Sequence, residues 1–427
     1  MHNIKDLHVE KDILPLFDFT YNEPARDALI ELLSDIPRSV EDVLYRQQII
    51  KAIINTKPLH APFPYHRSEF NEVHGYLEDL KNKVTPLDGT SLKFHLFFAQ
   101  TERSKEGAHL SQLIIFLFKI QQAWFSQLDE KMFPALFREK IESSKLFLAD
   151  LGVVKYQAIA KDRRFTIAEI AKLSTFLHGK IRTGAMTAFL KDFFLFEAYL
   201  SAAKGIVKHK FTFPRFGNKD LSLVNFYHPL LKAPVKNSLS VAENVVLITG
   251  PNMSGKSTLL KAVGICVLLA HLGLAVPADQ CELPFFNVIS VSINLTDDLR
   301  SGFSHFMTEI KSLKNVVVEA GKTKKCFAVF DELFRGTNME DALEISKTTI
   351  LGLTKFPGSC FFISTHLHQL KATIALNDTK VDTRFIECIL KNNIPVFTYK
   401  LLPGWSDLKI GQLLFEQEGL NQLLAKQ

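Results

Sequence analysis

Gly250, Gly255, Lys256 and Ser257, within ITGPNMSGKST (248–258), stand in the spacing G-x-x-x-x-G-K-S. That spacing suits a loop that cradles phosphates. The two glycines let backbone N–H groups converge on one point, and a helix starting there adds about half a positive charge at its N-terminus. Lys256 would then reach the β- and γ-phosphates, and the Ser257 hydroxyl would ligate Mg²⁺. Downstream, CFAVFDE (326–332) is an apolar run ending in two carboxylates. Asp331 is suited to holding Mg²⁺, directly or through water, and Glu332 to polarising an attacking water. FFISTH (361–366) is a further apolar run, ending at His366, a residue that could sense the γ-phosphate or stabilise transition-state charge. The chemistry expected is hydrolysis of a nucleoside triphosphate.

Such groups need rigid elements to hold them. NVVLIT (244–249) reads as a short buried strand and residues 258–275 as a helix, so strand, glycine loop and helix follow in the required order. From Lys208 onward, short apolar runs alternate with helical patterns. The runs are 245–249, 287–293, 327–331, 360–365 and 396–401. That alternation marks a layered α/β domain. Residues 1–207 carry apolar residues at three- and four-residue spacing, as in 25–33, 40–54, 110–128 and 181–204, and read as a mainly helical domain. The chain is therefore expected to divide into 1–207 and 208–427. Phenylalanine is abundant, as in FFLF (193–196), and implies a core packed with rings.

Bulk properties exclude little but frame the rest. The formal net charge is +6, and it is unevenly placed. Residues 1–50 hold five Lys/Arg against ten Asp/Glu, whereas 151–210 hold eleven against four. The basic stretch could meet a phosphate backbone or form the wet side of helices. The five cysteines, Cys266, Cys281, Cys326, Cys360 and Cys388, are far apart and mostly in apolar surroundings, as expected of reduced thiols in a cytosolic protein. The opening MHNIKDLHVEKD lacks the basic lead and apolar core of a signal peptide. The apolar-rich run 262–278 contains His271 and follows the glycine loop, so a buried helix is expected there and no membrane span.

The loop at 248–258 resembles that of the MutS mismatch-repair ATPases, typically T-G-P-N-M-G-G-K-S-T, whose P-N-M insert generic phosphate loops lack. The resemblance continues in order through Tyr227–Leu231, Asp297–Glu309, Asp331–Asn338, Ser364–His368 and a closing helical segment at Ile410–Leu424. It implies an α/β P-loop NTPase domain of the ABC type, preceded by a mainly α-helical lever domain. It also implies ATP and Mg²⁺ as cofactors. The nucleotide contacts would be Gly250, Pro251, Asn252, Met253, Ser254, Gly255, Lys256, Ser257 and Thr258. Ser257 and Asp331 would serve the metal, Glu332 would be the hydrolytic carboxylate and His366 the switch histidine. Ser304 matches the serine that reaches the γ-phosphate of the opposite subunit, which implies a homodimer with composite sites. Adenine is expected near 235–237.

Three departures from the pattern stand out. Ser254 replaces a usual glycine and is tolerable only where the backbone is not left-handed. Phe303 replaces a common arginine, and Leu333-Phe334 a common isoleucine-glycine. In the N-terminal half, Asp35–Ile50 and Phe196–Lys204 look like the family's lever helices. No stretch has room for its mismatch-reading and connector domains, and Phe70-Asn71-Glu72 reads as a coincidental match to the mismatch wedge. The function this implies is an ATP-driven DNA-binding dimer of the mismatch-repair family. The alternative is an ATP-gated protein-interaction module without DNA contact. A transporter-type ATPase is disfavoured by the lack of an L-S-G-G-Q signature.

Overall fold

The computed structural model describes residues 2–82, 89–217, 220–293, 305–322, 324–334, 336–372, 381–392, 394–406, 408 and 410–425. It forms two compact units, one of Met1–Leu16, Ile36–Leu44 and His209–Gln427, the other of Phe17–Asp35 and Tyr45–Lys208.

The first unit is built on strands β1 (Arg215–Phe216), β2 (Ser222–Phe226), β3 (Asn237–Ser240), β4 (Val245–Thr249), β5 (Gln280–Leu283), β6 (Val288–Ser292), β7 (Cys326–Phe330), β8 (Cys360–Ser364), β9 (Val381–Lys391) and β10 (Ile394–Pro403). Among the described residues they make a six-stranded sheet, β10-β9-β4-β8-β7-β6, and a four-stranded sheet, β1-β5-β2-β3. In the larger sheet β4 runs parallel to both β8 and β9, β7 is parallel to β8 and to β6, and only β10 is antiparallel. Every residue of β4, β6, β7 and β8 is buried. Continuous apolar strands of this kind belong in a parallel sheet covered on both faces. The helix Lys256–His271 is likewise buried along nearly its whole length. His271 belongs to this packing. Its Nε2 accepts the Phe286 N–H at 2.8 Å while Nδ1 lies 2.8 Å from the Val267 carbonyl, and burial lowers its pKa to about 4.

The N-terminal residues extend the sheet edge. Asn3 bridges β6 in parallel, its N–H donating to the Ile289 carbonyl and its carbonyl accepting from Val291. The Asp6 carboxylate accepts the Ile293 N–H at 2.7 Å where β6 ends. Gly264 admits this strap, since a Cβ there would lie 3.3 Å from both Leu7 and Val291.

The second unit is helical, with helices that include Glu23–Ser34, Arg67–Asn82, Gln100–Ala123, Ala135–Leu151 and Ile167–Arg182. The expected span 181–204 proves to be the end of Ile167–Arg182 and most of Ala185–His209, split where Gly184 turns left-handed. Rings fill the interior, with Trp124 stacked on Phe193 and Phe147 on Phe189. Phe94, Phe97 and Phe98 are exceptions, 64 to 71% exposed. Among the described residues of this unit one carboxylate is buried. Glu197 accepts the Tyr21 N–H at 2.7 Å, the Asn22 side-chain amide at 2.9 Å and the Tyr65 hydroxyl. Asn22 in turn caps the helix Glu23–Ser34 through the Ala25 N–H. All five cysteines are free thiols, four of them buried, and no helix among the described residues is long and apolar enough to cross a membrane.

Candidate functional site

The carboxyl ends of β4, β7 and β8 converge, the place where open α/β sheets hold ligands. The glycine loop leaves β4 and enters the helix Lys256–His271. Gly250 and Gly255 have φ of 146° and 96°, and Met253 has φ 68°. A Cβ on Gly250 would lie 2.9 Å from the Ser254 Oγ and 3.3 Å from the Ile386 carbonyl, so only glycine fits. Ser254 itself is not left-handed, which is the condition under which a serine can stand there. It is fully buried, as is Pro251, whereas Asn252 and Met253 face solvent.

Lys256 is 5% exposed and folds back over its own loop, its Nζ donating to the carbonyls of Gly250 (2.9 Å) and Pro251 (3.2 Å). The same Nζ lies 3.7 Å from Glu332 Oε1. Asp331 is gripped from two sides. Ser257 Oγ donates to Oδ2 at 2.5 Å and the buried Ser364 hydroxyl donates to Oδ1. Ser364 also orients the next residue, since its Oγ and its carbonyl accept the Glu332 N–H at 2.9 and 3.2 Å. The three loops are thus locked together by side chains from β8 and the helix, with Asp331 as the hub. His366 is exposed and lines a cavity of about 350 Å³ together with Asn252, Glu332 and Phe334.

A second cavity of about 350 Å³ opens on the other flank of the loop, lined by Tyr227, Val235, Asn237, Ser254, Thr258 and Tyr399 among others. Asn237 fixes one wall of it, donating to the Tyr399 carbonyl at 3.0 Å and accepting the Leu401 N–H at 2.8 Å. Tyr399 sits at a shift of register in the β9–β10 ladder, with φ 59°, and its ring lies 3.3 Å from where a Gly255 Cβ would stand. Burial lowers the pKa of His228 at this cavity, with Lys261 adding to the effect.

Of the sequence-predicted residues, Gly250 to Thr258, Asp331, Glu332 and His366 are placed within these three loops. Ser304 and Phe303 lie outside the described residues. Ser364 and Tyr399 carried no assigned role in the sequence reading. The only trace of Ser364 is its position at the end of an apolar strand, and Tyr399 has no motif at all.

A family model described as MutS domain V matches residues 246–421. The chain is 35% identical over 228 residues to a DNA mismatch repair protein MutS of Thermus thermophilus, a match covering 52% of this chain and 27% of that protein. It is 31% identical over 224 residues to the protein of the same name from Lysinibacillus sphaericus, covering 50% and 26%. A third, from Macrococcus caseolyticus, is 28% identical over 305 residues, covering 63% and 36%.

Residues 246–421 make up a MutS domain V.

The MutS domain V match begins inside β4 and takes in the glycine loop, Asp331, Glu332 and His366, so the family likeness rests on the segment that forms the site. The chain covers about a quarter to a third of the length of these MutS relatives. Beyond the family, the oxygen donors present fit a hard divalent cation. Ser257 and Asp331 offer a hydroxyl and a carboxylate, the donor type Mg²⁺ prefers.

Proposed function

We propose that this chain binds and hydrolyses ATP with Mg²⁺ at the site around Asp331, and that closure of two such chains moves helical levers on DNA. The observation that carries the reading is the convergence of Ser257, Ser364, Lys256 and Glu332 on and around Asp331 beneath a left-handed glycine loop. In this reading Gly250 to Gly255 turn their N–H groups to the phosphates, and the helix starting at Lys256 adds its positive end. Lys256 exchanges its own loop carbonyls for β- and γ-phosphate oxygens. The cavity walled by Val235, Asn237 and Tyr399 takes the base. Ser257 and Asp331 would hold the metal, which would supply neutralisation of the charge that develops on the phosphates. Glu332, oriented through the Ser364 bonds to its N–H, polarises the attacking water, and His366 faces the same cavity as the γ-phosphate sensor. Ser304 completes the site of a partner chain. Residues 208–427, with the N-terminal strap on their sheet edge, act as the P-loop ATPase of ABC type, and the helical unit within 1–207 as the lever domain.

A second reading, an ATP-gated protein-interaction module, is favoured by one observation. Within the basic stretch 151–210, Lys180 pairs with Asp150 and lies against the Phe147 and Phe176 rings, while Lys204 and Lys208 lie over Phe63 and Phe19. These cations serve the packing of their own unit. The deciding experiment is ATP turnover measured with and without duplex, mismatched and branched DNA over a salt series. The DNA reading expects stimulation and binding that weaken steeply with salt. Turnover indifferent to every DNA would leave the interaction module.

A further inference from the structure

The loop after Glu332 rests on a strained aromatic residue. Phe334 has φ 67°, a left-handed conformation that a bulky residue seldom adopts, and Glu332 has φ 52° two positions earlier. Glycine is the residue the family resemblance leads one to expect at 334, and it would take this conformation without steric penalty. Phe334 lies in the buried core of its unit and is tied to the helix His305–Gly321. The Phe334 N–H donates to Glu309 Oε2 at 2.8 Å, and Glu309 is only 1% exposed. The Phe334 ring, also 1% exposed, packs edge-on against Phe306 with centroids 6.1 Å apart. The loop and the first turn of that helix meet backbone to side chain at Gly336, where a Cβ would lie 3.1 Å from the Phe306 Cβ.

We propose that Phe334 is a positioning residue for Glu332. It rests on Glu332 being the hydrolytic carboxylate, as proposed above. The buried ring and the Glu309 carboxylate together hold a backbone conformation that a phenylalanine would otherwise leave. That conformation sets the direction of the Glu332 side chain, toward Lys256 and into the cavity it shares with His366. A glycine would permit the same φ but many others as well, so in this chain the helix His305–Gly321 dictates where the carboxylate points. Nucleotide affinity should be separable from this effect, because Gly250, Lys256 and Ser257 stand on β4 and its following helix and Asp331 keeps its own bonds to Ser257 and Ser364.

The test compares full-length Phe334→Gly, Phe334→Leu and Glu309→Ala with the intact chain by amide hydrogen exchange over Asp331–Phe334, by titration with a fluorescent ATP analogue and by turnover at saturating ATP. In Phe334→Gly and Glu309→Ala, exchange is expected to accelerate and kcat to fall at least about tenfold, since small misplacements of a catalytic group cost that much, with analogue affinity unchanged. Phe334→Leu keeps an apolar anchor and should stay close to the intact chain in all three. Unchanged exchange and kcat in Phe334→Gly would overturn the proposal. So would equal losses of affinity and kcat in the Gly and Leu variants, the mark of general misfolding. An intact chain without ATP turnover would defeat the ATPase reading instead, and the exchange comparison would still decide whether Phe334 and Glu309 fix the loop.

Discussion

Glu197→Gln should remove a pH dependence of stability from the helical unit. Glu197 is fully buried, and burial raises its pKa from 4.5 to about 7 against the opposing bonds from Tyr65, Tyr21 and Asn22. Lys204, half-buried nearby, is lowered by burial and partly restored by Glu197. Below pH 4.5 the folded and unfolded chains both carry the proton and nothing is lost. As pH rises, the unfolded chain ionises first, so stability falls until the folded carboxyl ionises near pH 7. The separation of the two values is worth about 3 kcal/mol in all, of which about 2.5 kcal/mol falls between pH 5 and pH 8. Trp124, buried among the rings of this unit, reports its unfolding, and a Trp405→Phe background leaves it as the sole tryptophan. Urea titrations of Trp124 fluorescence at pH 5, 6, 7 and 8 should show the intact chain losing about 2.5 kcal/mol more than Glu197→Gln across that range. A difference between the two proteins that stays constant with pH would refute the reasoning, because any fixed packing cost of the amide cancels in the comparison.

Three further outcomes follow from the site. Lys256→Ala should weaken binding of a fluorescent ATP analogue by about a hundredfold, and retained tight binding would remove the loop from its phosphate role. Asp331→Asn should raise the Mg²⁺ concentration for half-maximal turnover by about ten- to a hundredfold, and an unmoved Mg²⁺ midpoint would take Asp331 out of the metal site. Gly250→Ala meets Ser254 Oγ at 2.9 Å with φ 146° and should destabilise its unit by about 1–3 kcal/mol in chemical denaturation, whereas Gly250→Ala with native stability would mean that the loop is not held as described.

The candidate site was legible where its residues follow one another at fixed spacing. The glycine loop, Asp331, Glu332 and His366 all announce themselves at the ends of fully apolar strands, and those strands are legible because both faces are covered. β9 was not read as a strand. Only Ile386 in it is buried, so VDTRFIECILK shows no clear apolar face, and its place beside β4 is set by pairing with a segment more than a hundred residues earlier. The small sheet of β1, β2, β3 and β5 escaped for a different reason, its strands being only two to five residues long. Tyr399 reaches its cavity only through a register shift and a left-handed φ, neither of which a tyrosine signals. In the helical unit, long apolar patterns ran through Gly184, and only the left-handed turn separates the two helices.

The central claim is that ATP held beside Lys256 joins two chains, each completing the other's site. Its most direct measurement is the solution mass of Glu332→Gln by light scattering, with and without saturating ATP, alongside its turnover. Mass should double with ATP while hydrolysis falls by at least about a hundredfold relative to the intact chain. Single chains at saturating ATP, or turnover equal to that of the intact protein, would contradict it.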